Sequence, residues 1–240
     1  QLPDNDYQPR ADDPRAGYFE AGHYYHPVLG FEMAFPAGWA TRNGRNDVIA
    51  LQAPNSAALM LLRLAAEKAG VVALLVPPTF SRAEVGAITE RLPLAGAVLS
   101  ERARAQDLAN VYRAGARESF ALFSIGGSSI PGACDIESWL DVPYSATEAG
   151  RVLDGRRLQP YEYAAIITTS GTTGIPRFVE HTACARNASG RVYIDRLQLT
   201  HNDVVVGMVS IFAGNCDLLV HHTAPQVGAR IVLVDHFDRR

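Results

Sequence analysis

The sequence has little of what would tie it to a disulfide scaffold, a membrane or a nucleic acid. Only three cysteines occur in 240 residues, Cys134, Cys184 and Cys216, and their wide spacing fits neither a disulfide framework nor a metal-ligand motif. No run of about 18 apolar residues is present, and no basic-then-apolar signal segment opens the chain. The net charge of −3 argues against a broad nucleic-acid surface. We therefore expect a cytoplasmic protein in a reducing compartment, with no membrane span and no nucleic-acid partner.

The composition is that of an ordinary globular protein. Hydrophobic residues make up 48% of the chain and charged residues 20%, which excludes disorder throughout. The segment from Gln1 to Gly30 mixes Pro, Asp, Gly and aromatic residues without a helical or strand period. We therefore expect an irregular N-terminal arm over residues 1–44 and one α/β unit over residues 45–240.

From residue 47 onward, short apolar runs alternate with segments that carry helix start signals. The runs predict buried strands at Asp47–Gln52, Val71–Val76, Gly96–Leu99, Ser119–Ile125, Tyr161–Thr169 and Gly228–Val234. Helices are predicted after N-caps at Asn55 or Ser56, at Ser81 and at Ser145, over Glu101–Tyr112, and from about Thr182. Because the runs are continuously apolar, parallel pairing covered by helices on both faces is expected. The predicted fold class is α/β, with a mostly parallel sheet layered with helices.

One segment carries a distinctive chemistry, Thr169-Ser-Gly-Thr-Thr-Gly-Ile-Pro-Arg177, directly at the end of a predicted strand. Two glycines bracket two threonines, so the backbone can turn sharply and present consecutive N–H groups as an anion-binding nest. Ser170, Thr172 and Thr173 add hydroxyl donors, and Arg177 adds a permanent charge able to fork onto phosphate oxygens. Ligands of open α/β sheets bind at the carboxyl edge, where this loop begins. The loop therefore suits a polyphosphate.

Competing motifs fit this segment less well. A Gly/Ser/Thr-rich surface turn has the same composition, but it gives no reason for the strand before the loop and the cation after it. The P-loop pattern, Gly-x-x-x-x-Gly-Lys followed by Ser or Thr, fails because Gly171 and Gly174 are too close and no lysine follows. No Gly-x-Gly-x-x-Gly, Gly-x-Ser-x-Gly or His-Glu-x-x-His pattern is present. The surface turn stays as the open alternative.

The same nine residues resemble the phosphate-loop signature of the AMP-forming adenylating enzymes. That family includes acyl- and aryl-CoA synthetases, the adenylation domains of peptide synthetases, and luciferases. Every position agrees except Arg177, where lysine is usual. The resemblance implies that ATP is bound through Thr169, Ser170, Gly171, Thr172, Thr173, Gly174 and Arg177. It also implies a catalytic role for Arg177, which would stabilise the charge on departing pyrophosphate.

The resemblance extends over roughly residues 45–238. The further segments that look like the family are Gln52-Ala-Pro-Asn-Ser56, Ala69-Gly70 with Val71–Val76 and Pro77, Val209–Phe212, Gly214, and Gly228-Ala-Arg-Ile-Val-Leu233. The segment Val209–Phe212 resembles a strand of the family, and His181 stands where many members carry a histidine. The resemblance therefore implies substrate-binding roles for His181, Phe212 and Gly214. Ala213 departs from the family, because many members have histidine after the phenylalanine.

The resemblance implies an ATP-dependent ligase that activates a small carboxylic acid. The acid and MgATP would give an acyl-adenylate and pyrophosphate, and a thiol of coenzyme A or of a carrier protein's phosphopantetheine arm would then give a thioester. The family's later motifs for adenine, ribose and magnesium are not found before Arg240. We therefore expect the N-terminal portion of such an enzyme, with no metal ligands in these residues, Mg²⁺ bound largely elsewhere, and no activity in isolation.

Several alternatives stay open. A non-catalytic nucleotide-binding or interaction module derived from such an enzyme would share the loop, and so would an unrelated phosphate-binding α/β protein. An oligomer of identical chains is a further option, because apolar surface near Gly228–Val234 is expected to be open. Tyr144-Ser-Ala-Thr-Glu148 mimics a later family motif, but a helix cap at Ser145 explains it. The adjacent His221 and His222 would point about 100° apart in a helix, so they are not expected to share a metal ion.

Overall fold

The computed structural model describes residues 18–20, 23–26, 31–34, 47–100, 105–115, 120–127, 130–140, 150, 153, 158–169 and 177–234. The side chains of residues 18–34, 105, 106, 139 and 140 lie outside this description. The chain divides into two compact units, Gln1–Asn46 and Asp47–Arg240. The predicted helix start at Ser145 and its neighbour Glu148 lie outside the described residues.

The first unit contains a small antiparallel sheet. Its strands are β1 (Tyr18–Glu20), β2 (His23–His26) and β3 (Phe31–Ala34), paired in the order β1-β2-β3. This differs from the irregular arm expected over the same residues. In strands of three or four residues, the alternation of apolar and polar side chains is too short to be recognised in the sequence. These strands are therefore defined by their pairing with one another.

The second unit is built on a seven-stranded sheet. Its strands are β4 (Val48–Gln52), β5 (Val72–Leu75), β6 (Gly96–Ser100), β7 (Ala121–Ile125), β8 (Cys134–Asp135), β9 (Tyr163–Thr168) and β10 (Phe178–Thr182). They lie in the order β10-β9-β5-β4-β6-β7-β8. All neighbours are parallel except β9 and β10. The mostly parallel α/β fold predicted from the sequence is therefore confirmed.

Helices cover both faces of this sheet. They are α1 (Ala57–Lys68), α2 (Arg82–Arg91), α3 (Ala105–Ala114), α4 (Glu137–Leu140) and α5 (Ala183–Leu197). Side-chain caps begin three of them: Ser56 Oγ accepts from Leu59 N at 3.1 Å, Ser81 forms a capping box with Glu84, and Thr182 Oγ1 accepts from Ala185 N. These starts agree with the predictions at Ser56, Ser81 and Thr182. None of the described helices has the length and apolar character needed to cross a bilayer.

The strands of the sheet bury side chains on both faces, as continuous apolar runs require. In β5, Val72 and Leu74 pack against α2 and α3, whereas Ala73 and Leu75 pack on the side of α1. The loops that leave β4 and β5 therefore run to opposite faces. A crevice at the carboxyl edge forms where adjacent connections separate in this way, which is where ligands of such sheets bind.

A second, two-stranded parallel sheet follows α5. Its strands are β11 (Val204–Gly207) and β12 (Arg230–Leu233). Between them the chain forms α6 (Gly214–Asp217), a π-helical turn over Leu218–Thr223, and α7 (Ala224–Val227). The prediction of a final strand near Gly228–Val234 agrees with β12.

Two sequence predictions about this half of the chain need correction. The segment Val209–Phe212 is expected to be a strand by resemblance, but it forms a turn in which Ala213 N donates to Ser210 O and Phe212 N donates to Ser210 Oγ. The hydrogen bonds to Ser210 stabilise a turn there, although the neighbouring residues are apolar. Strand β10 is not predicted, because its sequence Phe-Val-Glu-His-Thr carries polar residues typical of an edge.

Candidate functional site

The two ends of the predicted phosphate-binding segment meet at the carboxyl edge of the large sheet. Thr169 N donates to Arg177 O at 2.9 Å, and the register places Thr168 opposite Phe178. The intervening residues, which include Ser170, Gly171, Thr172, Thr173 and Gly174, lie outside the described residues. Residues 169 and 177 are therefore paired across the antiparallel strands β9 and β10, and the predicted segment connects these two strands.

Strand β5 lies directly beside β9, the strand that leads to this segment. Its last residue, Leu75, pairs in parallel with Ile167, and Thr168 Oγ1 donates to Leu75 O at 3.2 Å. The carboxyl ends of β4, β5 and β9 therefore open on the same edge of the sheet.

A buried hydrogen-bond chain fixes the neighbouring part of this edge. Tyr112 on α3 donates to Gln52 Oε1 at 2.9 Å, and Gln52 Nε2 donates to Pro77 O at 3.2 Å. Burial raises the pKa of the Tyr112 hydroxyl, so it stays a donor at neutral pH. The end of β4 is thereby tied to the loop that leaves β5, which makes the edge rigid.

Arg177 is the exposed cation of the site. It directly precedes β10, and no residue in the described parts of the chain forms an ion pair or a side-chain hydrogen bond with its guanidinium. A permanently charged fork without a protein partner can bind an anion without first losing another contact.

His181 lies on β10, opposite Ala165 and just before the N-cap of α5. It is partly buried, and burial together with the charge of Arg186 lowers the pKa of its imidazole below the usual 6.5. His181 is therefore neutral near pH 7, and in that form it can both donate and accept a hydrogen bond.

Phe212 and Gly214 follow β11 on a single loop. The Phe212 side chain is buried in the core shared with α1, whereas Ala213 is exposed. A methyl group added at Gly214 would lie 4.0 Å from Ile167 Cδ1, so this loop approaches β9 near the end that leads to Thr169. The structure thus brings the loop of Phe212 and Gly214 to the same side of the sheet as His181.

A buried charged cluster lies behind this loop and was not predicted from the sequence. We call it the Asp217 cluster; its members are Arg63, Arg186, Asp217, His221 and His222. The Asp217 carboxylate lies 2.8 Å from Arg186 Nη2, 3.9 Å from Arg63 Nε, 3.0 Å from His221 Nδ1 and 3.9 Å from His222 Nε2. All five residues are buried, so this carboxylate joins α1, α5 and the π-helical turn.

The protonation of the cluster follows from these contacts. Burial alone would raise the pKa of Asp217, but His221 and the charge of Arg63 outweigh it and hold that pKa well below the usual value. Burial and the two arginines lower the pKa of His222 to about 4, against the opposing effect of Asp217. Asp217 is therefore charged and His222 neutral at pH 7.

The π-helical turn explains why the two histidines approach one carboxylate. They are the fourth and fifth residues after Asp217, and the wider turn brings the fifth residue back to the same side of the helix. His222 donates from Nδ1 to Asn187 Oδ1 at 2.9 Å, which ties this turn to α5. Among the described residues, no group of His, Cys, Asp and Glu side chains is arranged to hold a metal ion.

Comparison with known proteins gives the family context. The family model described as "AMP-binding enzyme" matches residues 42–240. No curated protein sequence matches the chain.

Solved structures share the fold at low sequence identity. A protein assigned as a long-chain-fatty-acid CoA ligase, from Rhodopseudomonas palustris, matches with a TM-score of 0.65 and 21% identity, over 80% of this chain and 46% of its own. ATP-bound MatB from the same organism has a TM-score of 0.60 and 17% identity, over 80% of this chain and 36% of MatB. O-succinylbenzoate coenzyme A synthetase from Bacillus subtilis, in complex with AMP, has a TM-score of 0.60 and 17% identity. That match covers 81% of this chain and 45% of the synthetase. This chain spans less than half the length of each.

Proposed function

The chain belongs to the AMP-binding enzyme family, and on that premise we propose that it is the N-terminal part of an ATP-dependent ligase that activates a carboxylic acid. The observation that carries the proposal is the pairing of Thr169 with Arg177 at the carboxyl edge of the sheet, where Arg177 is exposed and has no side-chain partner among the described residues. Backbone amides and hydroxyls in the segment between them suit the phosphates of ATP.

The proposed reaction has two steps. A carboxylate oxygen of the acid attacks the α-phosphorus of ATP, and the bond from that phosphorus to the oxygen of the β-phosphate breaks, which releases pyrophosphate. A thiolate then attacks the carbonyl carbon of the acyl-adenylate, and AMP leaves. The thiol belongs to coenzyme A or to the phosphopantetheine arm of a carrier protein.

The loop acts in the first step through position and charge. Its residues, Ser170 to Gly174 with Thr169, hold the β- and γ-phosphates so that the α-phosphorus faces the acid. Arg177 binds the oxygens that gain negative charge as pyrophosphate departs, and such a stabiliser lowers the barrier when it is already in place. Mg²⁺ would be held mainly by the phosphate oxygens, since hard cations favour oxygen ligands.

The acid is proposed to bind beside the loop that carries Phe212 and Gly214. Phe212 supports this site from the core, and the glycine leaves room near the end of β9. His181 stands on the same side of the sheet, where its neutral imidazole can hydrogen-bond a polar group. Ala213 is exposed, at a position where many relatives of this type carry histidine. Because alanine is smaller than histidine, the proposed acid site would be wider at this point.

The test is ATP–pyrophosphate exchange by the full-length natural protein with a panel of aliphatic and aromatic acids. We expect exchange that depends on one class of acid. ATP binding without acid-dependent exchange would instead support a non-catalytic nucleotide-binding module. Binding of inorganic phosphate or pyrophosphate as tightly as ATP would favour a phosphate-binding protein of another kind.

A further inference from the structure

Asn55 makes contacts that its place next to a helix does not explain. Its Nδ2 group donates to Val209 O and to Val234 O, each at 2.9 Å, and its Oδ1 accepts from Ile211 N at 2.9 Å. Both amide hydrogens and the oxygen are used, so the side chain has one orientation. A single buried residue just after β4 thus holds three points on the second sheet and its loop.

The helix beside Asn55 does not need this side chain. Ser56, the next residue, caps α1 by accepting from Leu59 N. The sequence offers either residue as the cap, and the structure assigns the cap to Ser56 alone. The amide of Asn55 is therefore free to bind groups far away along the chain, with separations of 154 and 179 residues.

The loop that Asn55 holds is the one proposed to form the acid site. We call residues 209–214 the acid loop. Arg186 Nη2 donates to Gly214 O at 2.5 Å and is itself fixed by Asp217, so the far end of the loop has a second anchor. Within this loop, the side chains of Ile211 and Phe212 are buried.

We propose that Asn55 is a positioning residue for acid recognition, since its hydrogen bonds to Val209 and Ile211 tie the acid loop to the chain just after β4. This inference rests on the proposed function. Asn55 stands near the carboxyl end of β4, which only β5 separates from β9, the strand that leads to the phosphate segment, whereas its hydrogen bonds reach the acid loop. Asn55 would therefore fix where the acid binds relative to ATP, although it contacts neither ligand.

The test compares Asn55→Ala with Ser56→Ala in the full-length protein. Both lose buried or capping hydrogen bonds at adjacent positions, so both should lower thermal stability. Only Asn55→Ala should lower kcat/KM for the acid, by about 10–100-fold, as expected for a small displacement of a positioning element. The KM for ATP should stay within about twofold, because the phosphate loop is untouched.

A second measurement does not depend on activity. Hydrogen exchange at the Ile211 amide should be at least about tenfold faster in Asn55→Ala and unchanged in Ser56→Ala, since only Asn55 accepts that hydrogen bond. Asn55→Ser shortens the side chain but keeps a hydroxyl donor at the same position. It should also speed exchange at the Ile211 amide and weaken acid kcat/KM, and it serves if Asn55→Ala does not fold.

The outcomes separate this inference from the function it rests on. If the wild-type protein shows no acid-dependent exchange, the proposed function is wrong. If the wild type is active but the Asn55 variants change the acid and ATP parameters equally, or change them no more than Ser56→Ala, then Asn55 is only structural and the inference is overturned.

Discussion

Arg177 and Arg186 lie on either side of the junction between β10 and α5, yet their environments are opposite. Arg177 is exposed at the sheet edge and no described side chain pairs with it. Arg186 is buried, with its guanidinium 2.8 Å from the Asp217 carboxylate. The first cation is available to a ligand, and the second is committed to holding helices together. Exposure and partners, rather than residue type, therefore decide which of these two arginines could bind a ligand.

The same contrast predicts what removing each charge does. Loss of an exposed cation changes stability little, but removes whatever it binds. Loss of one partner of a buried pair leaves an uncompensated charge, which destabilises the fold strongly. The phosphate-loop segment and the Asp217 cluster should therefore respond to different assays.

The largest expected effect is on folding. Asp217→Ala leaves Arg63 and Arg186 buried without their shared counter-charge, so the free energy of unfolding should fall by about 3–5 kcal/mol. Urea denaturation measures it. As a control, Asp195→Ala removes an exposed carboxylate from α5 and should change stability by less than about 0.5 kcal/mol. Equal effects of the two substitutions would show that the cluster is not a structural centre.

The next effect is on pH dependence. In the folded protein the pKa of His222 is about 4, whereas in the unfolded chain it is near 6.5. The unfolded state therefore binds the extra proton between these values, and stability is lost as the pH falls from about 6.5 to 4. The loss should reach about 3 kcal/mol, at about 1.4 kcal/mol for each unit of difference.

Urea midpoints across this pH range test the prediction for His222. His222→Gln should flatten the slope, and His201→Gln, at an exposed histidine, should leave it unchanged. His181, whose pKa is also lowered, adds a smaller loss in the same pH range, so only a full slope that survives the loss of His222 would place the main titrating group elsewhere. Asp217, whose pKa is lowered, adds a further loss only at more acidic pH.

A smaller effect is expected where α5 meets the π-helical turn. A methyl group at Gly190 would overlap the carbonyl oxygen of His222, so Gly190→Ala must push α5 away and should cost about 1–3 kcal/mol. Gly86 in α2 has no atom within 4 Å of the same position. Gly86→Ala should therefore stabilise the protein by up to about 1 kcal/mol, through helix propensity. Thermal unfolding of both variants decides whether α5 is packed closely.

The smallest effect concerns a hydroxyl of the phosphate loop. Thr172→Ala should lower pyrophosphate exchange only a few-fold, less than any loss of Arg177, because the backbone amides of the loop still bind the phosphates. Its unfolding midpoint should match the wild type. A loss as large as that of an Arg177 variant would show that this hydroxyl, and not the nest, carries the binding.

Elements formed by adjacent residues were predictable from the sequence. The apolar runs of β4, β5, β6, β7 and β9 and the caps at Ser56 and Ser81 are local signals, and the structure agrees with them. The phosphate-binding segment is predicted from the same kind of local signal, since its donors, glycines and cation are consecutive, and it stays a prediction.

Features that depend on distant residues were not predictable. Arg63, Arg186 and Asp217 come from three helices, and no pattern along the chain indicates that they meet. His221 and His222 were judged by ordinary helical geometry, whereas the π-helical turn changes their directions. The sequence offers Asn55 or Ser56 as the cap of α1, because a cap is a local role, whereas the partners of Asn55 lie on the second sheet and its loop.

The central claim, that the loop ending at Arg177 holds the leaving pyrophosphate, is tested most directly by separating the two half-reactions in the full-length protein. Arg177→Ala should lower acid-dependent pyrophosphate exchange by about 100–1,000-fold, and Arg177→Lys should recover much of it. Thioester formation from preformed acyl-adenylate should stay within a few-fold of wild type in both variants. Loss of both half-reactions to the same extent, or a change of only a few-fold in exchange, would contradict the account.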